Sequence, residues 1–270
     1  MDLYAVFGHP IGHSKSPLIH RQFALQTGQN MAYTAVQPPL DGFESEAEKF
    51  IAQGGRGFNI TVPFKENAAR WVQRLSERAE LAGAVNTVYL NDRREICGEN
   101  TDGIGLVRDL TMNHGLNLRG QRILVLGAGG AVRGVLKPLL DCRPDRLIIA
   151  NRTEEKAEHL AQHFKGYGNV EACIFSRLSG EFDTIINGTS AGLAGAVPAI
   201  PDAVVAAHTV TYDMLYGEVP TAFNLWSKDL GSAKQIDGLG MLVEQAAEAF
   251  LLWRGVRPET APVMECLRSC

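Results

Sequence analysis

A run of four large aliphatic residues, Ile123–Leu126, leads directly into the sequence Gly127-Ala128-Gly129-Gly130-Ala131. An apolar run of this kind predicts a buried strand, and the glycines after it predict a tight turn. Residues 132–140 continue with the spacing of an amphipathic helix. This strand, turn and helix restrict the chain to folds in which strands and helices alternate.

The same turn has the composition of a dinucleotide site. Glycines let the backbone approach a pyrophosphate closely, and the first turn of the following helix offers unpaired N–H groups to it. The third glycine of the usual GxGxxG pattern is absent, because that position is Val132. An ordinary tight turn is therefore the alternative interpretation. The residues that we predict to bind a dinucleotide are Gly127, Ala128, Gly129, Gly130 and Ala131.

The end of the next apolar strand predicts which dinucleotide is bound. That strand ends at Ala150, and Asn151, Arg152, Thr153 and Lys156 follow. An acid at such a strand end would bind the ribose hydroxyls of NAD and repel a 2′-phosphate. No acid is present, whereas Arg152 and Lys156 can pair with the phosphate. We therefore expect NADP, and Thr153 can serve equally as the N-cap of the next helix.

Short apolar runs alternate with amphipathic segments along most of the chain. This pattern predicts parallel βα units and the α/β fold class. The predicted strands are Leu3–Phe7, Ala32–Gln37, Gly57–Val62, Asn86–Leu90, Arg122–Leu126, Leu147–Ala150, Val170–Phe175, Thr184–Asn187 and Thr209–Asp213. At 270 residues two domains are expected, and a polar connector at 114–120 indicates that the second begins shortly before it. The helix Leu239–Arg254 carries an apolar stripe that must pack on one of them.

Composition excludes several classes of protein. The net charge of −4 opposes an electrostatic grip on nucleic acid. No apolar run reaches the roughly 20 residues that span a membrane, and the first residues lack the pattern of an export signal. Five cysteines without a CxxC pair encode neither a disulfide framework nor a zinc site. We expect a cytoplasmic protein that acts on a small molecule, without nucleic-acid or membrane partners, and the sequence leaves a homodimer open.

Two serines stand just before an amphipathic helix. Ser16 is a natural N-cap and Pro17 a natural first helical residue, which accounts for both positions structurally. Ser14 has no such explanation. Two hydroxyls beside a helix N-terminus also suit a carboxylate, so Ser14 and Ser16 are candidates to bind an anionic substrate.

Polar side chains also stand at the ends of two further apolar segments. Thr61 and Lys65 lie where a predicted strand turns into a helix, and Asp102 lies at the edge of a later apolar segment. Such positions present polar groups at the rim of a sheet, so Thr61 and Lys65 are expected to share one cleft. The alternatives are a solvated helix lysine at Lys65 and, at Asp102, an N-cap for a helix over 104–110.

In their order along the chain, these segments resemble the shikimate dehydrogenase family over nearly the whole length. The matching segments are residues 14–17, 59–65, 83–87, 100–103, 127–131, 151–153, 187–190, 212–214 and 237–241, with Gln245. The resemblance implies NADPH-dependent reduction of 3-dehydroshikimate to shikimate, a step toward the aromatic amino acids. It implies an α/β substrate domain at 1–103, completed by C-terminal helices at 237–270, and a Rossmann-like, doubly wound NADP-binding domain at 104–236.

The resemblance also implies a role for individual residues. Lys65 and Asp102 match the active-site lysine and aspartate of the family. The substrate contacts that it implies are Ser14, Ser16, Thr61, Asn86, Tyr216 and Gln245, with the two serines and Tyr216 at the substrate carboxylate. The further cofactor contacts that it implies are Thr189, Met214, Gly238 and Met241.

Reduction of a ring ketone requires a hydride on the carbon and a proton on the oxygen. Lys65 can supply that proton, and Asp102 can orient the lysine and bind a neighbouring hydroxyl. Two alternatives remain: a quinate/shikimate dehydrogenase with relaxed substrate or cofactor choice, and a non-enzymatic NADP-binding protein. Retention of both Lys65 and Asp102 opposes the second. We expect no metal site, because His159 and His163 lack a carboxylate or cysteine that would complete one.

Overall fold

The computed structural model describes residues 1–269 and divides into two compact units. The first, called here the terminal unit, combines Met1–Gly105 with the chain from Leu242 onward, and the second, the central unit, is Leu106–Met241. The chain changes unit after residue 105, where the sequence predicts 103, and after residue 241, where it predicts 236. Cys270, the last residue of the predicted C-terminal segment, lies outside the described residues.

Strands and helices alternate along most of the described chain. The strands are β1 (Asp2–Phe7), β2 (Met31–Val36), β3 (Gly55–Ile60), β4 (Arg74–Leu75), β5 (Thr87–Leu90), β6 (Ile96–Glu99), β7 (Arg122–Leu126), β8 (Arg146–Asn151), β9 (Val170–Ile174), β10 (Thr184–Asn187), β11 (Val210–Asp213) and β12 (Lys234–Ile236). The α-helices are α1 (Ser16–Thr27), α2 (Phe43–Ala52), α3 (Lys65–Trp71), α4 (Glu77–Ala82), α5 (Asp102–Arg108), α6 (Gly130–Asp141), α7 (Glu154–Phe164), α8 (Ala222–Asp229), α9 (Leu239–Arg254) and α10 (Ala261–Arg268). Within the described range, none of these helices combines the length and the apolar character that a membrane crossing requires.

The terminal unit is built on a mixed sheet with the strand order β2-β1-β3-β5-β6-β4. β1 is parallel to β2 and β3, but β5 is antiparallel to both β3 and β6. The prediction of parallel units is therefore wrong for this part of the sheet. For β5 and β6 the physical reason is the short connection at 91–95, which can join only antiparallel neighbours. The sequence does not predict β6, because Gly98 and Glu99 make up half of its four residues.

Two apolar clusters hold the helices of the terminal unit together. One contains buried phenylalanines of β1, α2, β3 and the loop before α3. The other joins α1 to α9 and α10 through Phe23, Phe250 and Val263. Trp253 of α9 lies over Gly57 of β3, where an added Cβ would be 2.5 Å from the indole nitrogen. The helix Leu239–Arg254 has the bounds that the sequence predicts, and its residues from 242 onward belong to the terminal unit.

The central unit is a parallel sheet with the strand order β12-β11-β10-β7-β8-β9. The chain runs from β7 outward through β8 and β9, and it then returns to β10 on the other side of β7. Its core includes the fully buried residues Leu124, Leu126, Ile185 and Phe223. β7 and β10 therefore flank the point where the strand order reverses, and doubly wound sheets bind their ligands at the carboxyl ends of such strands.

Three predicted helix caps differ from the structure. Ser16 is the first residue of α1 rather than its cap; Lys15 takes the cap position, and the Lys15 side chain makes no capping hydrogen bond. Asp102 likewise begins α5 itself, and its backbone N–H donates to the Asn100 side-chain oxygen at 3.1 Å. Thr153 does occupy the N-cap position of α7, but its side chain makes no capping hydrogen bond. The capping interpretation is therefore wrong for Ser16 and Asp102, because both residues are already helical.

Candidate active site

The antiparallel strand β5 brings three predicted site residues to one edge of the terminal sheet. β3 and β6 end at this edge and β5 begins there, because β5 is antiparallel to both neighbours. Lys65 follows β3 as the first residue of α3, and Asp102 follows β6 as the first residue of α5. Asn86 directly precedes β5. The topology therefore gathers side chains that are far apart in the sequence.

Lys65 and Asp102 form a close ion pair. The Lys65 ammonium donates a hydrogen bond of 2.6 Å to Asp102 Oδ2. The lysine side chain is 27% exposed and the aspartate side chain 12% exposed. An ammonium group carries three N–H donors, so Lys65 can keep this bond and still donate to a ligand. This geometry favours the catalytic interpretation of Lys65 over that of a solvated helix lysine.

Asn86 connects the ion pair to the rest of the terminal unit. Its Nδ2 donates to Asp102 Oδ1 at 2.7 Å and lies 3.3 Å from Gln245 Oε1 of α9. Its Oδ1 accepts the backbone N–H of Thr101 at 2.9 Å. The amide is buried, with 2% of the residue exposed. Both oxygens of Asp102 are therefore occupied by donors, one charged and one neutral.

The loop that carries Asp102 is held by residues to which the sequence alone assigns no role. Asn100 donates its amide to the carbonyl of Ala84 at 3.0 Å, and its side-chain oxygen accepts the N–H of Asp102. Glu99 is buried in a salt bridge with Arg78 at 2.8 Å and accepts the N–H of Asn100 at 2.7 Å. Asn100 lies in the segment 100–103 that resembles the family, whereas Glu99 has no sequence signal of its own. They fix the backbone from which the catalytic carboxylate is proposed to act.

The predicted carboxylate ligands lie at the start of α1. Ser16 is buried and Ser14 partly exposed, and the backbone N–H of Ser16 donates to Ser14 Oγ at 3.3 Å. Burial raises the pKa of the nearby Tyr33 hydroxyl above its ordinary value, and the Ser16 side chain opposes this shift. Thr61 follows β3, and its methyl group packs on Gly8, where an added Cβ would lie 2.4 Å away. The residues of the terminal unit that are predicted to contact the substrate therefore each pack against or bond to identified neighbours.

A buried histidine lies behind these groups. His20 is fully buried on α1, its ring stacks on Tyr33 with centroids 4.2 Å apart, and its Nε2 lies 3.1 Å from Asn59 Oδ1. Burial lowers the pKa of His20 to about 3, against the weaker opposing effect of the Asn59 hydrogen bond. His20 is therefore a neutral structural group at the pH of a cell.

In the central unit, a cleft of about 760 Å³ opens at the carboxyl ends of β7, β8 and β10. Its lining includes the predicted cofactor contacts Gly127, Ala128, Gly129, Gly130, Ala131, Asn151, Arg152 and Thr189. Thr153 and Lys156 are exposed at the start of α7, next to this lining. Most of the residues that the sequence predicts for the cofactor are therefore brought together by the fold.

The glycine turn after β7 leaves both open space and backbone N–H groups for an anionic ligand. α6 begins at Gly130 and no side chain caps it, so its first backbone N–H groups are available to a ligand. A Cβ at Gly129 or Gly130 would meet open space. Gly127 has φ +106, which favours glycine. Val132 stands where the pattern expects a third glycine, and it packs over Gly188 instead, 2.6 Å from an added Cβ there.

Arg152 is positioned to pair with a second anionic group of a dinucleotide, in addition to its pyrophosphate. It lines the cleft, is exposed and directly follows the end of β8, where no carboxylate stands. The residues present therefore suit a dinucleotide that carries a 2′-phosphate.

Further predicted cofactor contacts pack against each other beside the cleft. The sulfur of Met214 would lie 3.1 Å from a Cβ at Gly188, and the carbonyl of Met214 would lie 2.1 Å from a Cβ at Gly238. Met241 is partly buried in the first turn of α9. Glycine is thus required at Gly238 by a close approach of two backbone segments.

Tyr216 lies in the loop between β11 and α8 and is 40% exposed. Burial of part of its ring raises the pKa of its hydroxyl. The loop is anchored by Asp213, whose Oδ1 accepts the N–H of Leu215 at 3.1 Å and the Asn187 amide at 3.2 Å. Burial raises the pKa of this carboxyl group as well.

Throughout residues 1–269, no group of three or more His, Cys, Asp and Glu side chains has the arrangement of a metal site. His159 and His163 lie one turn apart on α7, and no further ligand joins them.

Comparison with known proteins identifies the family. The family model described as shikimate dehydrogenase substrate binding domain matches residues 6–88, that of shikimate/quinate 5-dehydrogenase matches 109–194, and that of the shikimate 5′-dehydrogenase C-terminal domain matches 238–268. A protein named shikimate dehydrogenase (NADP(+)), from Hahella chejuensis, is 59% identical over 100% of this chain and 99% of its own length. The chain belongs to the shikimate dehydrogenase family.

Solved structures agree with membership of the shikimate dehydrogenase family. An Ael1 enzyme from Pseudomonas putida is 45% identical, with a TM-score of 0.95 over 99% of this chain and 98% of that one. A shikimate 5-dehydrogenase from Thermus thermophilus, solved in complex with NADP(H) and shikimate, is 32% identical, with a TM-score of 0.89 over 100% of this chain and 99% of that one. The predicted two-domain α/β fold with a Rossmann-like domain is confirmed.

Proposed function

We propose that this chain catalyses the reversible, NADPH-dependent reduction of 3-dehydroshikimate to shikimate, a step of aromatic amino acid biosynthesis. The observation that carries the proposal is the Lys65–Asp102 pair at 2.6 Å, set among uncharged hydrogen-bonding side chains at one sheet edge. The full-length relative named shikimate dehydrogenase (NADP(+)) supports both the reaction and the cofactor.

The chemistry assigned to the terminal unit is the delivery of a proton. Lys65 donates to the ketone oxygen as negative charge develops there, and it accepts the proton back in the reverse direction. Asp102 holds the ammonium group in place and accepts a hydrogen bond from the neighbouring substrate hydroxyl. Thr61, Asn86 and Gln245 bind the other polar groups of the ring. NADPH, when bound, supplies the hydride.

The substrate carboxylate is assigned to the hydroxyls of Ser14 and Ser16, with Tyr216 as a further contact. Both serines lie at the start of α1, where the helix dipole favours a negative group. This arrangement selects an anionic ring over a neutral sugar. The carboxylate contact holds the ring so that its ketone reaches Lys65.

The cofactor is assigned to the cleft of the central unit. The backbone of Gly127–Ala131 binds the pyrophosphate at the start of α6. Arg152, with Asn151, Thr153 and Lys156, binds the 2′-phosphate of the adenosine ribose, and no acid at the end of β8 opposes it. The remaining cofactor contacts that we propose are Thr189, Met214, Gly238 and Met241.

A four-way assay tests this proposal. Shikimate and quinate are each offered with NADP⁺ and with NAD⁺, and reduction of the cofactor is followed by absorbance. We expect activity with shikimate and NADP⁺ to exceed the other three combinations. Equal activity on quinate, or with NAD⁺, would instead establish a dehydrogenase with relaxed substrate or cofactor choice. The description of the matched family model names both shikimate and quinate. Inactivity in all four would leave a non-enzymatic NADP-binding protein.

We also propose a cytoplasmic location, and the homodimer that the sequence leaves open stays a prediction. The cysteines Cys97, Cys142, Cys173 and Cys266 are free thiols, which suits a reducing compartment. Analytical ultracentrifugation measures the oligomeric state directly, and a species of 29.3 kDa at all concentrations would contradict the dimer.

A further inference from the structure

Thr87 is the first residue of β5, and it is fully buried beside the candidate active site. Its hydroxyl lies between two side-chain amides: 3.0 Å from Asn59 Nδ2 and 2.9 Å from Asn86 Oδ1. Thr87 belongs neither to the proposed substrate contacts nor to the catalytic pair. Its hydroxyl nevertheless connects the buried Asn59 amide to the Asn86 amide, which holds Asp102.

The hydrogen bond between Asn59 and Thr87 has a defined direction, because the Asn59 amide also faces a backbone carbonyl, which can only accept. The backbone carbonyl of Asn86 lies 3.2 Å from the Asn59 amide, so the Asn59 atom facing it is the nitrogen. Asn59 Oδ1 then accepts from the Tyr33 hydroxyl at 2.7 Å and from His20 Nε2 at 3.1 Å. The second N–H of Asn59 donates to Thr87. The hydroxyl hydrogen of Thr87 is therefore left to be donated onward.

The orientation of the Asn86 amide is fixed in the same way, because its side chain faces a backbone N–H, which can only donate. The backbone N–H of Thr101 lies 2.9 Å from Asn86 Oδ1, so that atom is an acceptor. The Thr87 hydroxyl donates to the same oxygen. Asn86 Nδ2 must then face Asp102 Oδ1, at 2.7 Å. A reversed amide would lose these bonds and place two acceptor oxygens against each other.

We propose that Thr87 is a positioning residue for the dehydrogenase reaction: its hydroxyl orients the Asn86 amide, which in turn orients the Asp102 carboxylate. This inference rests on the proposed function. Thr87 is 0% exposed, so it acts through Asn86 rather than by touching a substrate. Loss of its hydroxyl removes one anchor of Asn86 Oδ1 and leaves a buried N–H of Asn59 without its acceptor.

The test compares variants of nearly equal shape. Thr87→Val removes the hydroxyl, and Thr87→Ser keeps it. Thr184→Val is the matched control, because Thr184 is also a fully buried first residue of a strand, β10, and donates to Gln121 Oε1 at 2.7 Å. We expect Thr87→Val to lower kcat/KM for shikimate by roughly three- to tenfold, the equivalent of one hydrogen bond. The Michaelis constant for NADP⁺ should be unchanged, and Thr87→Ser and Thr184→Val should retain wild-type kcat/KM.

A double-mutant cycle separates positioning from general destabilisation. In an Asn86→Ala background, Thr87→Val should cause no further loss of kcat/KM, because the amide that it orients is gone. The same loss in both backgrounds, or no loss in the wild-type background, would overturn the inference. If Thr87→Val does not fold by circular dichroism, Thr87→Ala gives the same comparison. A wild-type protein without shikimate activity would instead contradict the proposed function itself.

Discussion

Asn86 Nδ2 donates to Asp102 Oδ1 over 2.7 Å, although the two residues lie on different strand connections. The other oxygen of Asp102 is occupied by Lys65. The carboxylate is therefore fixed from both sides, and a small shift of the amide changes where the ammonium group of Lys65 is held. This arrangement predicts that the three side chains act as one unit.

Replacement of Asp102 should damage both binding and turnover. In Asp102→Ala, the substrate loses a hydrogen-bond acceptor and Lys65 loses its partner. We expect a higher Michaelis constant for shikimate together with a lower kcat. The Lys65→Ala/Asp102→Ala double variant should be little worse than the poorer single variant, because coupled catalytic groups are not additive. Losses that multiply in steady-state kinetics would show that the two residues act independently.

Replacement of Arg152 should change the cofactor preference. A charge-assisted hydrogen bond to the 2′-phosphate is worth roughly 1.5 to 3 kcal/mol, so Arg152→Ala should raise the Michaelis constant for NADPH by about tenfold to a hundredfold. The constant for NADH should barely change. Arg177→Ala is the control, because Arg177 is an exposed arginine that pairs with Glu154 at 3.1 Å. Equal losses with both cofactors would mean that Arg152 does not bind the phosphate.

Ser14 and Ser16 should differ in what their hydroxyls support. Ser14→Ala should raise the Michaelis constant for shikimate with little effect on the free energy of unfolding. Ser16 does not cap α1, so no capping energy is lost in Ser16→Ala. Because Ser16 is buried near the Tyr33 hydroxyl, whereas Ser14 is partly exposed, Ser16→Ala should cost about 1 kcal/mol of folding stability in addition to weaker substrate binding. Urea unfolding and shikimate kinetics of both variants check this, and an unchanged Michaelis constant in Ser14→Ala would contradict the assignment.

Features with a local pattern are predictable from this sequence, and those that depend on distant contacts are not. The bounds of β7, β10 and α9 agree with the predicted ones because each has a clear apolar run or stripe. β6 and the antiparallel turn before it have no such pattern. Gln245 approaches Asn86 across 159 positions, and only the family resemblance, not periodicity, indicates that contact. Thr87 is part of a motif, but its role depends on two amides whose orientations only the folded structure fixes.

His20 predicts how stability depends on pH. Burial lowers its pKa to about 3 in the folded chain, from 6.5. The unfolded chain therefore takes up a proton that the folded chain does not, and stability falls as pH drops from about 6.5 toward 3. At pH 5 this contribution amounts to about 2 kcal/mol relative to neutral pH. Above pH 7 His20 adds no pH dependence.

Urea unfolding at pH 7 and pH 5 measures this effect when the wild type is compared with His20→Phe, which keeps an aromatic ring beside Tyr33. The loss of stability between the two pH values should be smaller in the variant by about 2 kcal/mol. His159→Phe, at an exposed position of α7, should keep the wild-type difference. The same pH dependence in His20→Phe and in the wild type would show that His20 titrates normally.

The most direct test of the account is the turnover number of Lys65→Ala with shikimate and NADP⁺. General acid–base catalysis contributes roughly a hundredfold to ten-thousandfold, so kcat should fall by that factor, with a small change in substrate affinity. Lys49→Ala is the control, because Lys49 is a 60% exposed helix lysine in the same unit and should leave kcat unchanged. A folded Lys65→Ala protein that turns over near the wild-type rate would contradict the assignment of Lys65 as the proton donor.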